Sequence, residues 1–425
     1  MKKRIIYTLL LGILGLNLLL GAQIYIGQAQ AAARDDVYAN MEVFTRVLEL
    51  VRQNYVDGGK VSYEDLVNGA LKGMINTLDP HSEFMDARKF DDLRKDTSGE
   101  FGGVGIVISL RDNVITVVAP MDESPSAKAG IAAGDRIVKI DGQGTEKITV
   151  NDAVSKLRGK PGSKVTISIM RASFQKPKDL VLERAIIKVS SVRDLNGRGE
   201  YPLGADKTGY IRISSFGEHT DEDLEKALQK LEVQGMLSLV LDLRDNPGGL
   251  LDQAVRVSEK FLPKGQLVVS TEGRTALERS QHKAAAANHR RIPMAILVNE
   301  GSASASEIVA GCLQDLKRAV LIGEKTFGKG SVQSILPLKD GAALRLTTAK
   351  YYTPSHREIH GKGILPDTVV PMSPELERDV ALKRTTGGIE SLDEKDRERV
   401  RNARDVQLDR AIEVLKALSG KVAGK

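Results

Sequence analysis

The sequence predicts a multidomain α/β protein in which a helical N-terminal module, a β-rich unit, an α/β core and a helical tail follow an N-terminal targeting segment. Three observations predict it. A chain of 425 residues has room for about three domains of ordinary size. The apolar period changes twice, from helical to alternating at Gly99 and then to strands alternating with helices beyond about residue 186. The composition, 41% hydrophobic and 28% charged with 40 Gly and 14 Pro, is that of a globular chain and excludes collagen, coiled coil and disorder.

The targeting segment comes first. Lys2-Lys3-Arg4, an apolar run from Ile5 to about Ile26, then Ala29-Gln30-Ala31 and Ala31-Ala32-Ala33 give the charge, apolar span and small-residue site of a secretory signal over residues 1–33. The protein is therefore expected to be exported, to the periplasm or cell envelope. The run is also about long enough to cross a bilayer, so residues 5–26 acting as an uncleaved anchor is the alternative, and the membrane is expected to be met only there. Half of the formal net charge of +6 sits at residues 2–4, and no basic run with interleaved aromatics follows, so no nucleic-acid partner is expected.

Residues 34–98 read as the helical module. Met41, Phe44, Leu48, Val51 and Tyr55 recur at helical spacing, as do Leu66, Ala70, Met74 and Leu78, and Ser62 with Asp65 is a capping box for the second helix. The β-rich unit spans 99–185, with β-branched runs at 105–110, 114–118, 136–140 and 164–169, a short helix near 150–157 and an exposed connection at 174–178. The core spans 186–373, with strands at 209–213, 237–243 and 294–298 alternating with helices at 221–231, 250–261 and 304–316. In the tail, 374–425, Leu408, Ala411, Leu415 and Leu418 mark an amphipathic helix. It is expected to dock on another surface of the chain or on a second subunit, and with the N-terminal helices it is a candidate homodimer surface. One Cys excludes a disulfide scaffold and a Cys-rich zinc module, and Cys312 falls on the apolar face Ile308, Val309, Leu313, Leu316 as a small hydrophobe.

Chemistry concentrates in two segments. After the strand at 294–298, Asn299–Glu307 turns into a helix whose N-terminal N–H groups could stabilise an oxyanion beside Ser304, although serine is also a favoured N-cap and this position alone favours capping. A nucleophilic serine needs a base. His81, His219, His282, His289, His356 and His360 offer no triad context, and His356-Arg-Glu-Ile-His360 lacks the order of a zinc hydrolase. Lysine with a lowered pKa is the other base available, and Lys329 sits between Gly328 and Gly330, where another element can approach closely. If that segment is extended, Lys329, Ser331 and Gln333 share a face, and the Gln333 amide could orient the amine.

Two resemblances follow. Gly102-Gly103-Val104-Gly105-Ile106 with Ser124–Gly142 resembles a PDZ domain, which implies that a protein C-terminus is bound, its carboxylate on the N–H groups of Val104, Gly105 and Ile106. Arg158 would add charge near that groove, or be a solvated helix-end cation.

Gly301-Ser-Ala-Ser-Ala-Ser-Glu307 with Thr326-Phe-Gly-Lys-Gly-Ser-Val-Gln333 resembles the carboxyl-terminal processing, or tail-specific, proteases of the S41 serine peptidase family. Leu78–Ser82, Leu241–Gly249 and Gly361–Asp367 carry the resemblance further. It implies a ClpP/crotonase-like α/β protease core, Ser304 as nucleophile, Lys329 as general base, Gln333 as supporting amide, an oxyanion hole from Ala305 with Gly248 or Gly249, and no metal or organic cofactor. The expected substrates are proteins or peptides with free C-termini. Asp245 stands where a small residue is common in that family and His356 where Gly is usual, which puts the conformation of those two loops in question. Two rivals are a non-catalytic scaffold that binds C-termini and an acyl or CoA-ester hydrolase on a related core, the second giving no reason for a PDZ unit.

Overall fold

The computed structural model describes residues 37–111, 114–121, 123–171, 173–384, 389 and 392–423. The expected signal or anchor at 1–33 lies outside them. Among the described residues no helix is long and apolar enough to cross a membrane.

The N-terminal unit contains α1 (Val37–Asn54) and α2 (Tyr63–Asn76). Ser62 caps α2 as expected, its Oγ accepting from Asp65 N–H at 3.0 Å. Although α1 is amphipathic, none of its residues is buried, and Tyr38, Val43 and Val47 stay exposed.

The second unit begins with α3 (Ala87–Ser98) and β1 (Glu100–Gly103). A six-stranded antiparallel sheet follows, five of its strands in the order β2 (Ile106–Arg111), β3 (Val114–Pro120), β4 (Arg136–Ile140), β5 (Lys164–Met170) and β6 (Lys178–Glu183), with the two-residue strand Gln143–Gly144 paired to β4 off that path. The short helix α4 (Pro125–Lys128) lies between β3 and β4, and α5 (Val150–Leu157) packs near β2. Ile115, Val117, Ile137, Ile140, Val165 and Ile167 fill this unit's own core. Because β2 ends the sheet, its outer edge is available to an added strand. Pairing of β7 (Ala185–Lys188) with β1 returns the chain to the start of this unit.

The core is a six-stranded sheet in the order β8 (Val192–Arg193), β9 (Thr208–Ile213), β10 (Ser238–Asp242), β13 (Met294–Val298), β14 (Val320–Gly323) and β17 (Thr368–Val369). Only β8 runs antiparallel. Parallel strands covered on both faces read as continuous apolar runs, and β13, Met-Ala-Ile-Leu-Val, is buried at every position. The helices α6 (Thr220–Val233), α7 (Leu251–Glu259) and α8 (Ala305–Asp315) contribute to the larger apolar cluster, in which Cys312 lies buried, so burial pushes its thiol well above the ordinary range.

A second antiparallel sheet, β15 (Ser331–Pro337), β16 (Ala343–Tyr352), β11 (Leu267–Gly273) and β12 (Ser280–Lys283), is not anticipated by the apolar pattern. The tail forms α9 (Pro374–Arg384), α10 (Glu394–Asn402) and α11 (Val406–Ala423). Ala411 and Leu415 of α11 are buried against Val240, Ala295, Leu297 and Ile322 of the core sheet.

Candidate active site

From β13 the chain enters the turn Asn299–Ser304. Ser302 Oγ donates to Leu243 O at 2.7 Å and Ser306 Oγ to Asn246 O at 2.9 Å, so both flanking hydroxyls are committed to holding the turn. Ser304 itself is 8% exposed at the N-terminus of α8, with φ 55°. A non-glycine residue in that region carries backbone strain, which the surrounding bonds must over-determine.

Glu307 provides much of that determination. Fully buried one turn into α8, it accepts from Ser304 N–H at 2.9 Å through Oε2 and from Lys329 N–H at 2.8 Å through the same oxygen. Its Oε1 accepts from Gly328 N–H at 2.8 Å and Thr326 Oγ1–H at 2.5 Å. The backbone nitrogens of Ser304 and Lys329 therefore cannot lie farther apart than the sum of two hydrogen bonds. Burial raises the pKa of Glu307, and the bonds from Thr326, Ser304, Gly328 and Lys329 oppose that rise. The motif contained Glu307 without a role for it; Ser304-x-x-Glu307 is the spacing of a capping box, and that signal could have found it.

The lysine loop is held from its other side by residues 359–364. Gly361 N–H donates to Gly328 O at 2.9 Å, and a Cβ at Gly330 would come within 2.2 Å of His360 N, so the glycines around Lys329 permit the approach their position suggested. The segment is not extended: Gly328 has φ 94° and successive N–H groups converge on Glu307, with β15 starting only at Ser331. Lys329 is half-buried, and desolvation together with the charge of Arg345 lowers its pKa from the ordinary lysine value. Gln333, at an irregularity in the pairing of β15 with β16, donates from Nε2 to Ser331 Oγ at 2.7 Å and Thr347 Oγ1 at 3.4 Å.

Facing Ser304 is the turn Asn246-Pro-Gly-Gly249. A Cβ at Gly248 would lie 2.7 Å from Ser304 Cβ and 2.9 Å from Ala305 N, so only glycine fits there. Gly248 N–H donates to Asn246 Oδ1 at 2.9 Å, while Gly248 O accepts from Phe216 N–H at 2.9 Å. Across a trans peptide the N–H of Gly249 then points away from Phe216.

The two loops in question adopt left-handed backbone at the non-glycine residues. Asp245, φ 57°, exchanges two hydrogen bonds with the Asn299 side chain. His356, φ 61°, stacks on Tyr352 and bonds Glu272 at 2.9 Å. His282 and His289 bond Ser280 and Arg291, and His219 lies near Glu100 and Glu222, so these four histidines have partners other than Ser304.

At the glycine loop Val104–Ile106, Gly105, φ 71°, has its carbonyl fixed by Ser126 Oγ at 2.6 Å, Met121 N–H at 2.9 Å and Ser124 Oγ at 3.1 Å. The Val104 carbonyl accepts from Ser126 N–H. Arg158 stacks over Phe101 of β1 at 4.5 Å, beside the start of the loop.

Comparison with known proteins agrees with this organisation. Residues 207–370 match the model of peptidase family S41, 116–171 that of the PDZ domain and 22–89 that of the activating protease CtpB N-terminal domain. A carboxy-terminal-processing protease of Bartonella bacilliformis is 46% identical over 340 residues, covering 79% of this chain and 76% of its own. A carboxyl-terminal-processing protease of Synechocystis sp. is 35% identical over 405 residues, covering 88% and 93%. A solved Bacteroides fragilis chain described as an S41 protease shares the fold at TM-score 0.50 and 18% identity, covering 88% and 97%. With that fold around the Ser304 turn and relatives matching along most of their length, the chain belongs to the carboxyl-terminal processing proteases of peptidase family S41.

Proposed function

We propose that this chain is an exported serine endopeptidase that captures a substrate's C-terminal carboxylate on its PDZ unit and cleaves with Ser304 and Lys329. The observation that carries the reading is the single Glu307 oxygen that holds the backbone nitrogens of both residues. Neutral Lys329 takes the Ser304 proton as Oγ attacks the scissile carbonyl; the ammonium then protonates the leaving amine, and water, deprotonated by the same lysine, hydrolyses the acyl-enzyme. Gln333, its Nε2 committed to Ser331 and Thr347, keeps its carbonyl oxygen to accept from that ammonium. Of the two glycines, Gly249 supplies the oxyanion N–H together with Ala305, since Gly248 gives its own to Asn246.

The carboxylate of the substrate is held by the amides of Val104, Gly105 and Ile106, since the Val104 and Gly105 carbonyls are engaged within the unit, and its chain adds to the open edge of β2. Arg158 adds positive charge near that loop. Lys2-Lys3-Arg4 and the apolar run after it carry the chain to the periplasm or cell envelope, and residues 5–26 anchor it if they are not removed. The exposed apolar face of α1 pairs with a second copy.

Ser304→Ala and Lys329→Ala should each abolish cleavage of β-casein while a peptide with a free C-terminus still binds. Full activity in Lys329→Ala overturns the dyad, and a purified protein that binds C-termini without producing casein fragments is the scaffold instead. Because the working amine is neutral, activity falls as pH drops through the Lys329 pKa, at a pH below the ordinary lysine value.

A further inference from the structure

The turn that faces Ser304 is also tied to the far end of the chain. Between β10 and Asn246, Arg244 is 5% exposed and uses its whole guanidinium. Its Nε donates to Asp242 Oδ1 at 2.9 Å and one terminal nitrogen to Asp242 Oδ2 at 2.5 Å. The two terminal nitrogens reach Asp405 Oδ1 at 3.0 Å and Oδ2 at 2.9 Å, and one also reaches Gln407 Oε1 at 3.0 Å. Asp405 in turn accepts from Arg384 of α9 at 2.5 Å and caps α11 through Leu408 N–H at 3.0 Å. Tyr210 Oη–H donates to Asp242 at 2.5 Å, which completes a buried group of two arginines and two aspartates.

The next bonds lead to the active site. The Arg244 carbonyl accepts from Arg212, Asp245 N–H donates to Asn299 Oδ1, and Asn246 O accepts from Ala303 N–H and Ser306 Oγ on either side of Ser304. Docking of α11 does not require these charges, because Ala411 and Leu415 already bury against the sheet. Taking paired charges out of water adds little net stability compared with an apolar replacement, but it fixes direction: a bidentate Arg–carboxylate pair tolerates few geometries.

We propose that Asp405 and Arg244 are a positioning pair through which the C-terminal tail sets the Asn246–Gly249 turn against Ser304, so that the tail is part of the catalytic apparatus. The inference rests on Ser304 being the nucleophile. In the full-length protein, Asp405→Asn should lower kcat on a fluorogenic peptide with a free C-terminus by about tenfold or more, with KM and C-terminal peptide affinity unchanged, and Asp405→Glu should recover part of the loss. Should Asp405→Asn fail to fold, the double variant Arg384→Met with Asp405→Leu removes one charge of each sign at similar volume and leaves the Arg244–Asp242 pair intact; it should fold and still show the reduced kcat. Wild-type kcat per folded molecule in either variant overturns the positioning role. Ser304→Ala is the separating control, since cleavage there overturns the nucleophile assignment and not the tie between tail and turn.

Discussion

One anion cradle is built into this chain and the carboxylate capture proposed for the PDZ unit would make a second, and the two differ in who supplies the anion. Around Glu307, the N–H groups of Gly328 and Lys329 converge beside a left-handed glycine, and the chain's own buried carboxylate fills the space. Around Gly105, a second left-handed glycine interrupts a loop whose carbonyls at Val104 and Gly105 are already engaged, so N–H groups are what it would offer the proposed ligand. An internal anion makes the placing of the Ser304 and Lys329 backbones independent of any ligand. An external one would make binding depend on a free C-terminus. The difference teaches that the same backbone device serves rigidity when the chain supplies the anion and would serve recognition when a ligand does.

Breaking the inner cradle should have the larger effect. Glu307→Gln keeps the shape but turns an NH2 toward two N–H donors, and the loss of charge-assisted bonds worth about 1.5–3 kcal/mol each predicts a fall in kcat of a hundredfold or more, read by steady-state kinetics on β-casein. Gly248→Ala, which drives a methyl into Ser304 Cβ and Ala305 N, should cost a similar factor without weakening peptide binding. The outer cradle comes next. Gly105→Ala brings a Cβ within 2.3 Å of Ser124 Cβ, and C-terminal amidation of the ligand removes the charge; each should weaken binding by about tenfold in calorimetry, and equal affinity of amide and acid would remove carboxylate capture from the comparison. The smallest effect is electrostatic: Arg345→Gln should shift the acid limb of the pH–rate profile upward by a fraction of a unit, since a neutral neighbour no longer disfavours the Lys329 ammonium.

What could be read from the sequence divides along physical lines. Elements whose partners lie close in sequence or that pack on both faces were legible: β13 by its five apolar residues, α8 by the face that includes Cys312, α2 by Ser62 and Asp65. Ser304 and Lys329 stood out through family resemblance, not through periodicity. The sheet of β11, β12, β15 and β16 escaped because its strands mix polar with apolar residues; Ser280–Lys283 has no buried position. Arg244 and Asp405 escaped because a pair 161 residues apart leaves no local pattern. The two amphipathic helices at the chain's ends looked alike, yet α11 is buried against its own sheet and α1 is bare, since amphipathicity states that a face needs covering without stating by what.

The open edge of β2 has a cost in colloidal behaviour. An edge that accepts an incoming strand also invites the same edge of a neighbouring molecule, and Val107 and Leu110 are exposed along it. Its pairing with β3 shifts register between Val107 and Ile108, and such an irregularity bends the strand enough to spoil a long flat match between two copies while leaving room for a few residues of tail. Solubility at high concentration should therefore rise when a short C-terminal peptide occupies the edge, and the molecule is least prone to aggregate while it is engaged.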